Sequence, residues 1–146
     1  MNLYTNPNIQ DYIKHKIELQ QNIIEYLKTP DENDEAFFSI IHIIIDNNIQ
    51  NKKNDFLEFL HLVVMISNNY HRHISFFKKI MKILKYFKEN IQQNFSNTTI
   101  WNIFNSNMKI LLFLFEEKIL IPNLNLISNI TFRNCTIYFI KKKYRH

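Results

Sequence analysis

Apolar positions recur at helical rather than alternating spacing along most of this chain. Residues 8–28 place Ile9, Tyr12, Ile13, Ile17, Ile23, Ile24 and Leu27 near one helical face. Thr29-Pro30 ends that pattern, because a proline ring disfavours helical geometry in the residue before it. "DENDE" follows, and its carboxylates suit the positive end of a second helix over about 34–49, which carries "FFSIIHIIID". That run is rich in β-branched residues and also suits a strand. Its length and its neighbours favour a helix.

A third helix is expected over 54–67, "NDFLEFLHLVVMIS", with Asn54 or Asp55 as cap. A fourth is expected over 75–93, capped by Ser75. It sets Phe76, Ile80, Ile83, Leu84, Phe87 and Ile91 on one face and Lys78, Lys82, Lys85 and Glu89 on the other. Ser96 or Asn97 caps a short helix near 98–105, "NSN" turns the chain, and 107–118 forms another helix. These two make an antiparallel pair. Beyond Pro122 the helical period fades. Residues 135–140 suit a short strand, and the last six are expected to fray. The pattern therefore predicts an all-α protein of about six helices stacked as antiparallel hairpins. Residues 1–121 form the helical domain, 97–121 its last hairpin, and 122–146 a partly disordered basic tail.

Composition narrows the chemistry. An apolar fraction of 46% with 13 Phe is enough for a packed core in 146 residues. Ile, Asn and Lys together make 61 residues, a bias that fits AT-rich coding more than selected chemistry. Gly is absent, so neither a P-loop nor a G-x-G-x-x-G turn exists, and nucleotide binding through those motifs is excluded. The net charge of +5 is uneven: residues 1–70 carry 5 Lys against 10 Asp/Glu, and residues 71–146 carry 13 Lys/Arg against 3 Glu. Such a chain presents a basic face to acidic partners, or packs one half on another surface. The single Cys135 precludes an internal disulfide framework and fits a reducing compartment. No apolar run approaches the ~20 residues of a membrane span, and no leader pattern opens the chain, so a cytoplasmic location is expected.

Successive helix–turn–helix units suggest an α-solenoid or a cap for one. The stretch "LHLVVMISNNYHRHISFFKKIMKILKYFKENIQQNFSNTTIWNIFNSNMKILLFLFEEKIL" resembles the N-terminal helical region of large protist (trichomonad-type) ankyrin-repeat proteins. An "ISNNHHR"-like turn, an "FSN..I.NIF.SN" segment and an "ILLFL.EEKI" helix carry the resemblance. It runs through residues 11–121 and is most specific from Leu60 to Leu120. It implies an ankyrin-like cap acting as a non-enzymatic protein-interaction module, without cofactor or metal, whose partner is another protein. Residues 97–121 have the shape of an ankyrin helix pair but lack the Thr-Pro-Leu-His opening and any Gly. Asn105 and Asn107 are the residues able to take left-handed turn positions in its place. No repeat array follows in the sequence, which suggests a truncated or shortened member of that family.

Several residues invite a sharper reading. His71-Arg72-His73 sits at a helix junction; two histidines at i, i+2 with an adjacent arginine make a poor zinc site, and a capping turn explains them better. His42 and His61 lie inside apolar helices and are expected to be partly buried and hydrogen-bonded; His61 with Cys135 as a base–nucleophile pair has no support in spacing. Glu116 and Glu117 are neighbours pointing about 100° apart on a helix, which suits charge at a helix end rather than paired acid–base work. Lys78, Lys79, Lys82, Lys85 and Lys88 form a basic face. It is either solvated or a binding face for nucleic acid or an acidic surface, and no aromatic lies on it to stack bases. Trp101, Phe104, Leu111, Leu112 and Phe115 form an apolar packing face, expected in the core or, if a following repeat is missing, exposed and prone to self-association.

Overall fold

The computed structural model describes residues 7–29, 34–46, 52–70, 73–122, 137 and 141–142. Among them are seven helices and no strand: α1 (Pro7–Lys28), α2 (Asp34–Asp46), α3 (Lys52–Asn69), α4 (Ile74–Tyr86), α5 (Lys88–Asn94), α6 (Asn97–Phe104) and α7 (Met108–Glu116). The all-α expectation holds, and the β-branched run at 40–45 is helical. Cys135, His71, Arg72 and most of the basic tail lie outside the described residues; of the one strand expected, 135–140, only Ile137 is described, and it is helical. The chain divides into two compact units, Met1–Ile80 and Met81–His146.

In the first unit α1 packs on both α2 and α3, and α2 on α3. Each helix supplies one apolar stripe. Leu19 and Ile23 of α1, Ile41 of α2, and Phe59, Leu60 and Val63 of α3 are all fully buried. Burial of one such side chain contributes about 1.5–3 kcal/mol, so the three stripes together dominate the stability of this unit. Pro7 opens α1, the position where a missing N–H costs nothing. At its far end the Tyr26 ring stacks on Phe37 with centroids 4.1 Å apart and planes 6° apart. Two starts differ from the sequence reading. Asp55 lies inside α3, not at its cap, and is only 7% exposed. Ser75 lies inside α4, because the His73 carbonyl already accepts from the N–H groups of Phe76 and Phe77.

In the second unit the expected helix over 75–93 divides at Phe87 into α4 and α5, which is why seven helices stand where six were expected. Phe87 leaves helical geometry (φ −91, ψ 13), yet its N–H still reaches the Ile83 carbonyl and its carbonyl accepts from Ile91. Phe87 is buried at 1% exposure, so packing holds this local departure in place. Ser96 caps α6, its hydroxyl accepting from the Thr99 N–H, and the Asn107 side chain caps α7 through the Ile110 N–H. The two helices pack on each other, with Trp101 and Phe115 ring centroids 5.4 Å apart.

The turns of this pair differ from expectation. Asn105 (φ −65) and Asn107 (φ −135) are both right-handed or extended. Among the described residues the one positive φ belongs to Lys118, at 60°. Lys118 N–H bonds the Phe115 carbonyl and Ile119 N–H the Leu114 carbonyl, the hydrogen-bond pattern of a Schellman motif with Lys118 at the position usually given to glycine. The segment after it is held by side-chain amides. Gln92 donates to the Lys118 carbonyl at 2.9 Å. Asn97 accepts the Ile121 N–H at 2.8 Å and donates to its carbonyl at 2.9 Å. A side-chain amide that pairs both ways with one residue fixes the exit of α7 beside the start of α6.

Candidate functional site

Several chemistry-bearing side chains described in the first unit are engaged within the helix packing. Lys79 of α4 donates its ammonium to the carbonyls of Tyr26 (2.6 Å) and Thr29, and it lies 4.8 Å from the centroid of the Tyr26 ring. Those carbonyls belong to the last turn of α1 and the residue after it, where backbone acceptors lack helical partners and the dipole is negative. The Tyr26 hydroxyl donates to Asp34 Oδ1 at 2.6 Å, tying the end of α1 to the start of α2. Burial, and then the hydrogen bond to Asp34 and its negative charge, push the Tyr26 hydroxyl above the ordinary tyrosine range.

Between α1 and α3, His15 Nε2 faces Asp55 Oδ2 at 3.4 Å, and Lys16 Nζ meets Glu58 Oε1 at 3.1 Å. The buried Asp55 is therefore a packing partner that the sequence reading placed at a helix cap. What identifies it in the sequence is its position: Asp55 falls one residue before Phe56, on the stripe that continues through Phe59 and Val63.

The expected basic face is not a uniform row. Lys78, Lys82 and Lys85 are exposed, Lys88 is half-buried, and Lys79 turns to the α1 carbonyls. Of the apolar packing face, Trp101, Phe104, Leu111 and Phe115 are buried and Leu112 is half-buried, so these residues are core of the second unit in this chain. His42 is half-buried, as expected, whereas His61 is exposed on the outer side of α3. His73 is exposed and its ring stacks on Phe76 (centroids 4.8 Å), with Tyr70 beside both. The carbonyl of His73 serves the first turn of α4, the junction role expected for this stretch. Glu116 and Glu117 close α7, and Glu116 lies 3.7 Å from Lys142. Among the described residues no group of three or more His, Cys, Asp or Glu converges in a metal-ligating arrangement, and no helix is long and apolar enough to cross a membrane.

What the helices leave in solvent is large and apolar. In the first unit Ile40 and Ile43 of α2 are 41% and 59% exposed, Ile13 and Ile17 of α1 are 39% and 47%, and Met65 of α3 is 40%. Ile13 and Ile17 belong to an open depression of about 580 Å³ along α1, lined also by Gln10, Lys14, Glu18 and Gln21. In sequence terms these isoleucines looked like core, since a stripe wider than the contact it makes cannot be told from one that is fully covered. No family model, no curated protein and no solved structure matches this chain.

Proposed function

We propose that this chain is a non-enzymatic interaction or capping module of the ankyrin-repeat type, acting through its exposed helical faces in the cytoplasm. The observation that carries the reading is the row of solvent-exposed isoleucines on α2, helical neighbours of side chains that are fully covered. Exposed apolar groups gathered on a rigid helix favour association with a second surface, since burying them removes apolar area from water. Two further features support the ankyrin-type assignment. The α6–α7 pair is short, is capped by Ser96 and Asn107, and ends in Glu116-Glu117 before a pinned loop. The stretch Leu60–Leu120 carries the family-like segments described above.

The test uses a consensus ankyrin array that lacks its N-terminal cap. The purified chain is titrated into the array and the urea midpoint of the array is followed. A ligand that binds only the folded array raises that midpoint with concentration. The reading predicts such a rise, saturable and specific to the uncapped array. A midpoint unmoved by saturating chain contradicts it.

A further inference from the structure

We propose that the outer face of α2 docks an amphipathic helix bearing basic residues. The proposal deepens the interaction-module reading and rests on it. Ala36, Ile40 and Ile43 stand at i, i+4 and i+7, so they form one row on the helix, and all three are exposed. The core stripe of the same helix is a separate set: Phe37, Phe38, Ile41, Ile44 and Ile45 are all buried. The exposed row is therefore a second apolar face, the pattern by which helices engage a groove or another helix.

The charges around that row choose the occupant. Glu35 is exposed at its start and Asp46 at its end, and α2 contains no Lys or Arg. Asp46 stands at the helix C-terminus, where the dipole is itself negative and a cation is the favoured neighbour. The two carboxylates lie eleven positions apart, about 16 Å along the axis. A partner helix that sets aliphatic side chains at i, i+4 and i+7, with Lys or Arg near both ends of that row, satisfies the apolar and the charged parts together. The same charges disfavour the other occupants. A second copy paired through α2 brings Glu35 beside Asp46 when antiparallel, or each carboxylate beside its equivalent when parallel. An anionic membrane surface meets like charge at both ends of the row.

A fluorescently labelled synthetic helix of Leu, Ala and Lys, about 18 residues long, serves as probe against the full chain, with an otherwise identical Leu/Ala/Glu peptide as control. Anisotropy titration is expected to show saturable binding of the Lys peptide and at least about tenfold weaker binding of the Glu peptide. Ile40→Ser with Ile43→Ser is expected to weaken the Lys peptide by about tenfold or more. Both positions are well exposed, and matching far-UV circular dichroism checks that the variant is folded. Glu35→Lys with Asp46→Lys, which leaves the apolar row intact, is expected to weaken the Lys peptide and strengthen the Glu peptide. Absent binding, or binding indifferent to both variants, overturns the proposal. So does finding that the isoleucine pair governs self-association in sedimentation, or adhesion to phosphatidylserine vesicles, in place of peptide binding. If the peptide fails while the uncapped ankyrin array still responds to the chain, only the assignment of α2 falls; if both fail, the interaction reading falls with it.

Discussion

Replacing Lys118 by glycine is predicted to stabilise the second unit. Lys118 holds φ at 60° in a chain that contains no glycine at all. A side chain with a Cβ costs roughly 1–2 kcal/mol in left-handed geometry, because Cβ crowds the following carbonyl oxygen. Glycine escapes that cost but raises the entropy of the unfolded chain by the equivalent of about 0.4–1 kcal/mol. The net expectation for Lys118→Gly is a gain of about 1 kcal/mol. The exchange disturbs little else, since the Lys118 side chain is exposed and the contact with Gln92 uses the backbone carbonyl. Trp101, the single tryptophan, is 6% exposed and packs on Phe115 in the same unit, so its fluorescence reports the unfolding directly. With a urea dependence of about 1 kcal/mol per molar for a unit of this size, the midpoint should rise by about 1 M. Lys118→Ala, which keeps Cβ, should leave the midpoint nearly unchanged. Lys118→Val should lower it, because a β-branched residue fits left-handed geometry worst. A midpoint unchanged or lowered by glycine would refute the left-handed cap and the Schellman geometry built on it.

Lys79→Met removes a cation from the α1 C-terminus while preserving the stem; after allowing for partial exposure and recovered side-chain entropy, it should cost about 1–2 kcal/mol. The exposed Lys78→Met is the control, and equal urea midpoints by far-UV circular dichroism would contradict the capping role. The Tyr26 hydroxyl is shifted upward on folding, so the native state holds its proton more tightly than the unfolded chain. Its contribution is complete below the ordinary tyrosine value of about 10 and declines as pH rises beyond it. Stability measured from pH 9 to 11 (about one unit either side of that value) should therefore fall less steeply in Tyr26→Phe than in the parent chain, and parallel curves would show that the shift is absent. With Lys79 committed to α1, the remaining lysines are expected to give no salt-sensitive oligonucleotide binding that Lys78→Glu, Lys82→Glu and Lys85→Glu together abolish; such binding would favour a nucleic-acid role instead.

The helices themselves were legible because their apolar stripes are long and their stops are chemical. Pro30 bounds α1 and Ser96 caps α6, as its place before that apolar run allows, whereas Asn107, read as a left-handed turn residue, instead caps α7. Three features were not legible from residue preference alone. Asp55 and Ser75 look like caps but lie inside helices, since Asp55 meets His15 across a helix pair and the His73 carbonyl starts α4 one residue earlier. The left-handed position went to Lys118 rather than to an asparagine, because the helix end falls where Leu114 and Ile119 are both buried. The basic row looked uniform by spacing, but spacing cannot show that a carbonyl pair at Tyr26 and Thr29 comes within reach of Lys79. For the exposed α2 row the same limit applied. Periodicity marks which positions are apolar, and only packing tells which of them another helix covers.

The central claim is that outward-facing isoleucines on a rigid helical scaffold make contact with a partner. A methyl-resolved spectrum of isoleucine-labelled chain, titrated with the uncapped ankyrin array, tests it most directly. The prediction is saturable shifts at the exposed Ile40 and Ile43 methyls, with the fully buried Ile23, Ile41 and Ile83 left in place. Saturating array that moves none of the exposed methyls would contradict it.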